Sequence, residues 1–226
     1  MVPSPFLLVG LDLVSLLLEV VVAAFFLQTW RRTGNATHLL FAIGFFLLAL
    51  GTGAVSSSAL DLLRNVETWD GLRMGGQTGG ALVLFFSYAS MRRGGHANIL
   101  RVAAATIAFA ASLMVILYVF VPPFLEVPSL ESMAVVADAV QFLAYAGCVA
   151  FASITYRRVP QPEYLLVPGA FMLLALSKYT WVLIDLSHAI NLVGFVYVWR
   201  ILALGLLLGA LLLPRRPRPE ASREPA

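Results

Sequence analysis

Long apolar runs separated by short polar breaks organise this chain. Crossing a bilayer core of about 30 Å takes about 20 helical residues. Seven segments meet or approach that length: residues 5–29, 38–60, 75–91, 100–122, 132–156, 163–186 and 189–213. The pattern predicts seven membrane-spanning helices in one domain over 1–213. The 75–91 segment is the shortest, and Gly75, Gly76, Gly79 and Gly80 crowd its beginning. Pro122 and Pro123 break the fourth segment, and Pro160 and Pro162 mark the turn between the fifth and sixth. No break is long enough for a soluble domain. The first apolar run has no basic residues ahead of it and outruns the core of a cleavable signal, so it reads as the first span. The polar, proline-rich end, residues 214–226, is expected to be a disordered basic tail.

Composition removes the alternatives to a membrane protein. Of 226 residues, 60% are hydrophobic and 12% charged, against roughly 25% charged in soluble domains, and mean hydropathy is +0.88. A soluble fold of this size could not hide so much apolar surface. Disordered, collagen-like and disulfide-scaffold classes are excluded by the same figures. The single cysteine, Cys148, lies in an apolar stretch and reads as a small buried hydrophobe.

The basic residues set an orientation. Arg31, Arg32, Arg92, Arg93, Arg101, Arg157 and Arg158 fall in loops on one side, and Arg215, Arg216, Arg218 and Arg223 follow in the tail. The other side carries only Arg64 and Arg73, beside Asp61, Glu67, Asp70, Glu126 and Glu131. By the positive-inside rule the N-terminus is outside and the C-terminus cytoplasmic, and the expected location is the plasma membrane. The net charge of +3 follows from topology, and no nucleic-acid footprint is visible.

The chain also aligns with itself at an offset of 126 residues. WRRTGNATHLLFAIGFFLLALG, Trp30 to Gly51, matches YRRVPQPEYLLVPGAFMLLALS, Tyr156 to Ser177, at nine of 22 positions without gaps. Five of the nine are Leu, which a membrane protein supplies freely. Arg31 and Arg32 with Arg157 and Arg158, Phe45 with Phe171, and Ala49 with Ala175 are less cheap, and Asp12 and Phe25 match Asp138 and Phe151 upstream. The expectation is a parallel repeat, with a three-helix bundle over 1–91, a linker helix over 92–130 and a second bundle over 131–213. That three-plus-one-plus-three plan resembles the architecture of the SWEET and PQ-loop carriers, although Pro160-Gln161 sits in a cytoplasmic turn without the surroundings of that family's motif. Seven helices with an outside N-terminus also resemble opsins in number. Opsins hold retinal on a lysine in the seventh helix, whereas Lys178, the only lysine here, is in the sixth span. The third span, LVLFFSYASM, carries no opsin-like acid pattern.

Charges inside spans each cost about 2.5–3.5 kcal/mol at the bilayer centre on insertion scales, so each needs a partner or water. Asp12 and Glu19 lie in the first span, Asp138 in the fifth, Lys178 in the sixth and Arg200 in the seventh, with Asp185 near the outer end of the sixth. At a rise of about 1.5 Å per residue, Asp12, Asp138 and Lys178 fall roughly 9–12 Å below the outer surface, and Glu19 and Arg200 roughly 17–20 Å below it. Glu19 is expected to pair with Arg200, and Lys178 with Asp12 or Asp138. Gln141 and Tyr145 are expected at the same site, with Ser15, Gln77, Thr78, Ser177, Tyr179, Thr180, Tyr197 and Ser56 to Ser58 as further hydrogen-bonding groups. The three histidines, His38, His96 and His188, fall in loops or at helix ends, without metal-ligand spacing. No nucleophile elbow, phosphate loop or H-E-x-x-H is found, so neither an enzyme nor a cofactor is expected. GQTGG, Gly76 to Gly80, suits close helix packing or a flexible entry to the third helix.

These features point to a small membrane protein that binds, and transports, a small solute or ion at a polar site between two bundles. A sensor signalling to a separate membrane-protein partner, and an accessory subunit of a larger complex or homo-oligomer, are the alternatives.

Overall fold

The computed structural model describes residues 5–59, 66–91, 130–158 and 162–213. Within them the chain is all-α: α1 (Pro5–Thr33), α2 (Ala36–Ala59), α3 (Val66–Met91), α4 (Leu130–Arg158), α5 (Pro162–Ser187) and α6 (Val193–Leu212), with a 3-10 turn at Ile190–Leu192. Five of these helices, all but α3, are long and apolar enough to cross a membrane, which makes this a helical membrane protein. The span expected at 100–122 and the tail from 214 lie outside the described residues.

The third helix starts at Val66, nine residues before the expected Gly75. Glu67, Asp70 and Arg73 form its first turns, and a search for continuous apolar residues excludes them. Between α1 and α2 only Gly34 and Asn35 are non-helical. Gly34 takes a positive φ of 65° and donates its N–H to the Trp30 carbonyl, closing α1. The Asn35 side-chain oxygen then accepts the Thr37 N–H at 3.0 Å, capping α2.

Each helix packs on two neighbours, in the order α1–α2–α3–α4–α5–α6 and back to α1, so the six close into a ring. Neighbours run antiparallel except at two junctions. Along α3 and α4, Thr78 meets Gln141 and, further on, Phe85 meets Phe151, so these two helices are parallel. Along α1 and α6, Asp12 meets Tyr197 and Glu19 meets Arg200, again in parallel.

Polar residues occupy the inside of the ring. On α1, Asp12, Ser15, Glu19 and Val22 recur at helical spacing and are all buried, whereas Leu13, Leu17 and Val20 face outward. On α4, Gln141, Tyr145 and Cys148 are buried and Val136 and Leu143 exposed. Apolar side chains on the outside suit lipid as solvent. α2 and α3 approach most closely through glycines: a Cβ on Gly76 would lie 2.8 Å from both the Gly51 nitrogen and the Leu47 carbonyl oxygen. The GQTGG glycines thus serve close packing from within the helix, not a flexible entry to it.

At the end of the ring where α1 finishes, aromatic side chains fill the interior. Phe45 and Phe171 are buried, and Tyr88 packs edge-on against both Phe41, at 4.9 Å between ring centres, and Phe171, at 5.5 Å.

Candidate functional site

Toward the opposite end, where α1, α3, α4 and α6 begin, lies a cavity of about 100 Å³. Its wall carries Asp12, Asp138 and Asp185 together with Arg73, Lys178 and Arg200, and Gln77, Gln141, Trp181 and Tyr197 complete the polar lining. Asp12 lies seven residues into α1, about 10 Å along its axis. The helical period brings these groups together. Asp12 shares a face with Glu19, and Asp138 with Gln141, because residues three, four and seven apart project the same way.

Two ion pairs anchor the site. Lys178 Nζ donates to Asp138 Oδ1 at 2.9 Å and to Gln77 Oε1 at 2.7 Å, so one ammonium joins α5 to α4 and α3. Deeper in the ring, Arg200 donates from Nη2 to Glu19 Oε1 at 2.7 Å and from Nε to the same oxygen at 3.1 Å. Thr52 on α2 donates to the other oxygen, Glu19 Oε2, at 2.8 Å, and Arg200 Nη2 also bonds Thr52 Oγ1. Glu19 is 1% exposed at its side chain and Arg200 11%. Paired charge and several donors thus meet a carboxylate that is almost wholly out of water.

Asp12 is held differently. It is buried, and its Oδ2 accepts the Tyr197 hydroxyl at 3.2 Å. Gln141 donates Nε2 to Thr78 Oγ1 at 3.0 Å. Its other atom, Oε1, and the Ser15 hydroxyl one turn beyond Asp12 are buried without a hydrogen-bond partner among the described residues.

Of the residues expected at the site, Asp12, Asp138, Gln141, Lys178 and Arg200 line the cavity. Glu19 sits beneath it through Arg200. Tyr145 is buried in the main apolar cluster, off the cavity wall. The pairing of Glu19 with Arg200 is as expected, and Lys178 takes Asp138 rather than Asp12. Tyr179 does not converge on the site: it is 46% exposed and packs on Phe142 at the ring's outside, because it follows Lys178 by one residue and so points about 100° away. Ser177 and Thr180 bond backbone carbonyls, of Val196 and Leu176. The side chains of Ser56 to Ser58 lie outside the described residues.

Four residues of the site fall outside the set expected there from sequence. Arg73 falls before the expected start of its helix and reads as a loop charge. Asp185 reads as a charge near the outer end of its span, and Trp181 as an aromatic of the membrane interface. Thr52 is a neutral residue with no cost in a span, yet it is the offset counterpart of Lys178, a signal the repeat contains. Among the described residues no group of three or more His, Cys, Asp or Glu stands together as metal ligands. His38 instead bonds Thr33 Oγ1 at 3.1 Å and stacks on Phe26.

Comparison with known protein families, with curated proteins and with solved structures finds no match.

Proposed function

We propose that this protein is a small carrier that binds a solute or ion in the cavity between two three-helix bundles, α1–α3 and α4–α6, and passes it across the membrane. The observation that carries this reading is the meeting of intramembrane charges from both bundles at one cavity, since sealed ion pairs would serve helix register alone without a cavity between them. The reading includes seven spans and a plasma-membrane location, together with an outside N-terminus and a cytoplasmic tail, which the arginine bias supports. It also includes a parallel repeat.

Helix boundaries support the repeat. Adding 126 to the limits of α1 gives 131–159 against 130–158 for α4, and adding it to α2 gives 162–185 against 162–187 for α5. The start of α3 maps to 192, beside the start of α6 at 193. The interior positions correspond as well: Asp12 with Asp138, Ser15 with Gln141, Glu19 with Tyr145, Val22 with Cys148, Phe45 with Phe171 and Thr52 with Lys178. A two-fold axis along the membrane normal relates parallel bundles and makes the α3–α4 and α6–α1 junctions equivalent; both are parallel. Met91 and Leu130 lie at opposite ends of the ring, in keeping with one further crossing between the two bundles.

The two junctions hold the contacts that a carrier would exchange. Glu19–Arg200 and Asp12–Tyr197 bridge the bundles on one side, and Lys178–Gln77 and Gln141–Thr78 on the other. The test is uptake by proteoliposomes offered a panel of small cations, anions and zwitterions. Saturable uptake of at least one, lost in Glu19→Gln and Arg200→Ala variants that still insert and remain monodisperse, is the expected result. Uptake by both variants at the wild-type rate would remove the site from the mechanism. Purification only in fixed stoichiometry with another polypeptide, without uptake, would replace the carrier by a subunit role.

A further inference from the structure

We propose that the cavity takes a small protonated amine, with the Asp12 carboxylate as counter-ion and the Gln141 Oε1 atom as an acceptor of its N–H groups. This assigns the ligand class of the cavity on which the carrier reading rests.

Charge balance is the first argument. Lys178 answers Asp138 and Arg200 answers Glu19. Arg73 and Asp185, also on the wall, are opposite in sign and add nothing to the total. Among the described residues the wall and the pair beneath it thus carry four carboxylates and three bases. The excess charge is negative. Asp12 is where it resides, since the bond it accepts comes from the neutral hydroxyl of Tyr197. A buried anion calls for a cation, and more strongly at membrane depth than at a surface.

The orphaned polar atoms supply the second argument, independent of charge. Gln141 is 1% exposed and lines the cavity, yet among the described residues Oε1 has no partner while Nε2 is committed to Thr78. An amide oxygen only accepts, so the partner it lacks is a donor. Ser15 is fully buried on the face of Asp12, one turn deeper, and its hydroxyl is likewise unpartnered. Buried polar groups are almost always satisfied, and an exception marks a place where something else binds.

The Asp12 carboxylate and the Gln141 amide oxygen, both on the cavity wall, present acceptors to one occupant. An ammonium group, with N–H donors and a positive charge, matches both the chemistry and the sign. An anionic solute would meet the Asp12 carboxylate on the same wall. At about 100 Å³ the cavity limits the solute to a few heavy atoms beyond the nitrogen.

Thermal unfolding of the full chain in lipid nanodiscs, followed during titration with methylammonium chloride at constant ionic strength, tests the assignment. The expected result is a saturable rise in Tm that tetramethylammonium, which has no N–H to donate, and sodium do not reproduce. Asp12→Asn should weaken methylammonium binding by at least about tenfold, the loss expected when a charged hydrogen-bond partner is removed, and Asp12→Glu should recover part of it. If Asp12→Asn does not purify as a folded protein, Gln141→Leu provides the same readout at the neutral acceptor. Stabilisation by acetate with none by methylammonium, equal effects of tetramethylammonium or sodium, or wild-type affinity in either variant would each overturn the proposal. Methylammonium bound at equilibrium without uptake of any solute leaves this site standing and sinks the carrier. Saturable uptake of another solute with no methylammonium binding does the reverse.

Discussion

The Glu19–Arg200 pair makes a quantitative and asymmetric prediction. Removing Arg200 as Arg200→Met leaves a carboxylate 1% exposed that has lost both guanidinium bonds. It keeps the Thr52 hydroxyl on Oε2 at 2.8 Å. Breaking a buried pair by deleting one partner costs about 3–5 kcal/mol, and the surviving Thr52 bond puts this loss near the lower end, at about 3 kcal/mol. Glu19→Gln removes the other partner. Arg200 then keeps Thr52 and lies on the cavity wall, where water can reach it, so the loss is one charged hydrogen bond, about 1.5–2 kcal/mol. The Glu19→Gln/Arg200→Met double variant should regain at least about 1.5 kcal/mol relative to the sum of the singles, because neither charge is then stranded. Reversible unfolding in mixed micelles with increasing SDS measures all four proteins. Equal losses for the two singles, or strict additivity in the double, would refute the reasoning and mean that Glu19 is solvated in the folded protein.

Three further outcomes follow from packing and from topology. Gly76→Leu places carbon where the α2 backbone already lies 2.8 Å from a Cβ; it should destabilise by about 1–3 kcal/mol or more, or prevent folding, while Gly10→Leu, where none of the described residues lies within 4 Å, should be tolerated, as thermal unfolding of the two variants would show. Cys148, fully buried, should resist maleimide in the native protein and react in SDS. In a Cys148→Ala background, Asn35→Cys should label only from the cytoplasmic side of intact cells and Asn191→Cys only from outside, and the opposite pattern would invert the orientation.

The sequence makes depth legible, and angle only in part. Counting residues along each span at a fixed rise places Glu19 and Arg200 at one level, so their pairing can be read without a structure. The same count places Asp12, Asp138 and Lys178 at one level and cannot choose between the two acids, because the choice depends on which helices are neighbours in the ring. Only the fold puts α5 beside α4 and away from α1. Arg73 is hidden for another reason. It precedes a glycine-rich stretch that weakens the apolar signal, so the helix reads as starting after it, whereas the close packing of α2 on Gly76 and Gly80 stabilises a helix that propensity alone disfavours. Tyr179 shows the converse: the 100° turn between it and Lys178 was available from the sequence and places it on the lipid side.

The distribution of contact types bears on how such a ring could work. Within the first bundle, α2 and α3 meet through Gly44, Gly51, Gly76 and Gly80, contacts of backbone on side chain and backbone that permit little sliding without a clash. The polar side-chain contacts described above fall largely between bundles, at the α1–α6 and α3–α4 junctions and through Lys178. Hydrogen bonds and ion pairs can be exchanged for others, or for a solute, when two bodies rock, whereas a glycine-packed interface has one good arrangement. At the other end, the Tyr88–Phe171 contact joins the bundles through rings, which separate without leaving buried charge unpaired. On the proposed carrier reading, a stiff α2–α3 pair, exchangeable polar contacts on the cavity side and an aromatic closure on the other would supply mechanical parts of alternating access. The proposed repeat explains why both halves carry an acid at the same depth. Lys178 in place of its counterpart Thr52 gives Asp138 an ion-pair partner, whereas Asp12, bonded among the described residues by the neutral Tyr197 hydroxyl, is the acid proposed to take a cation.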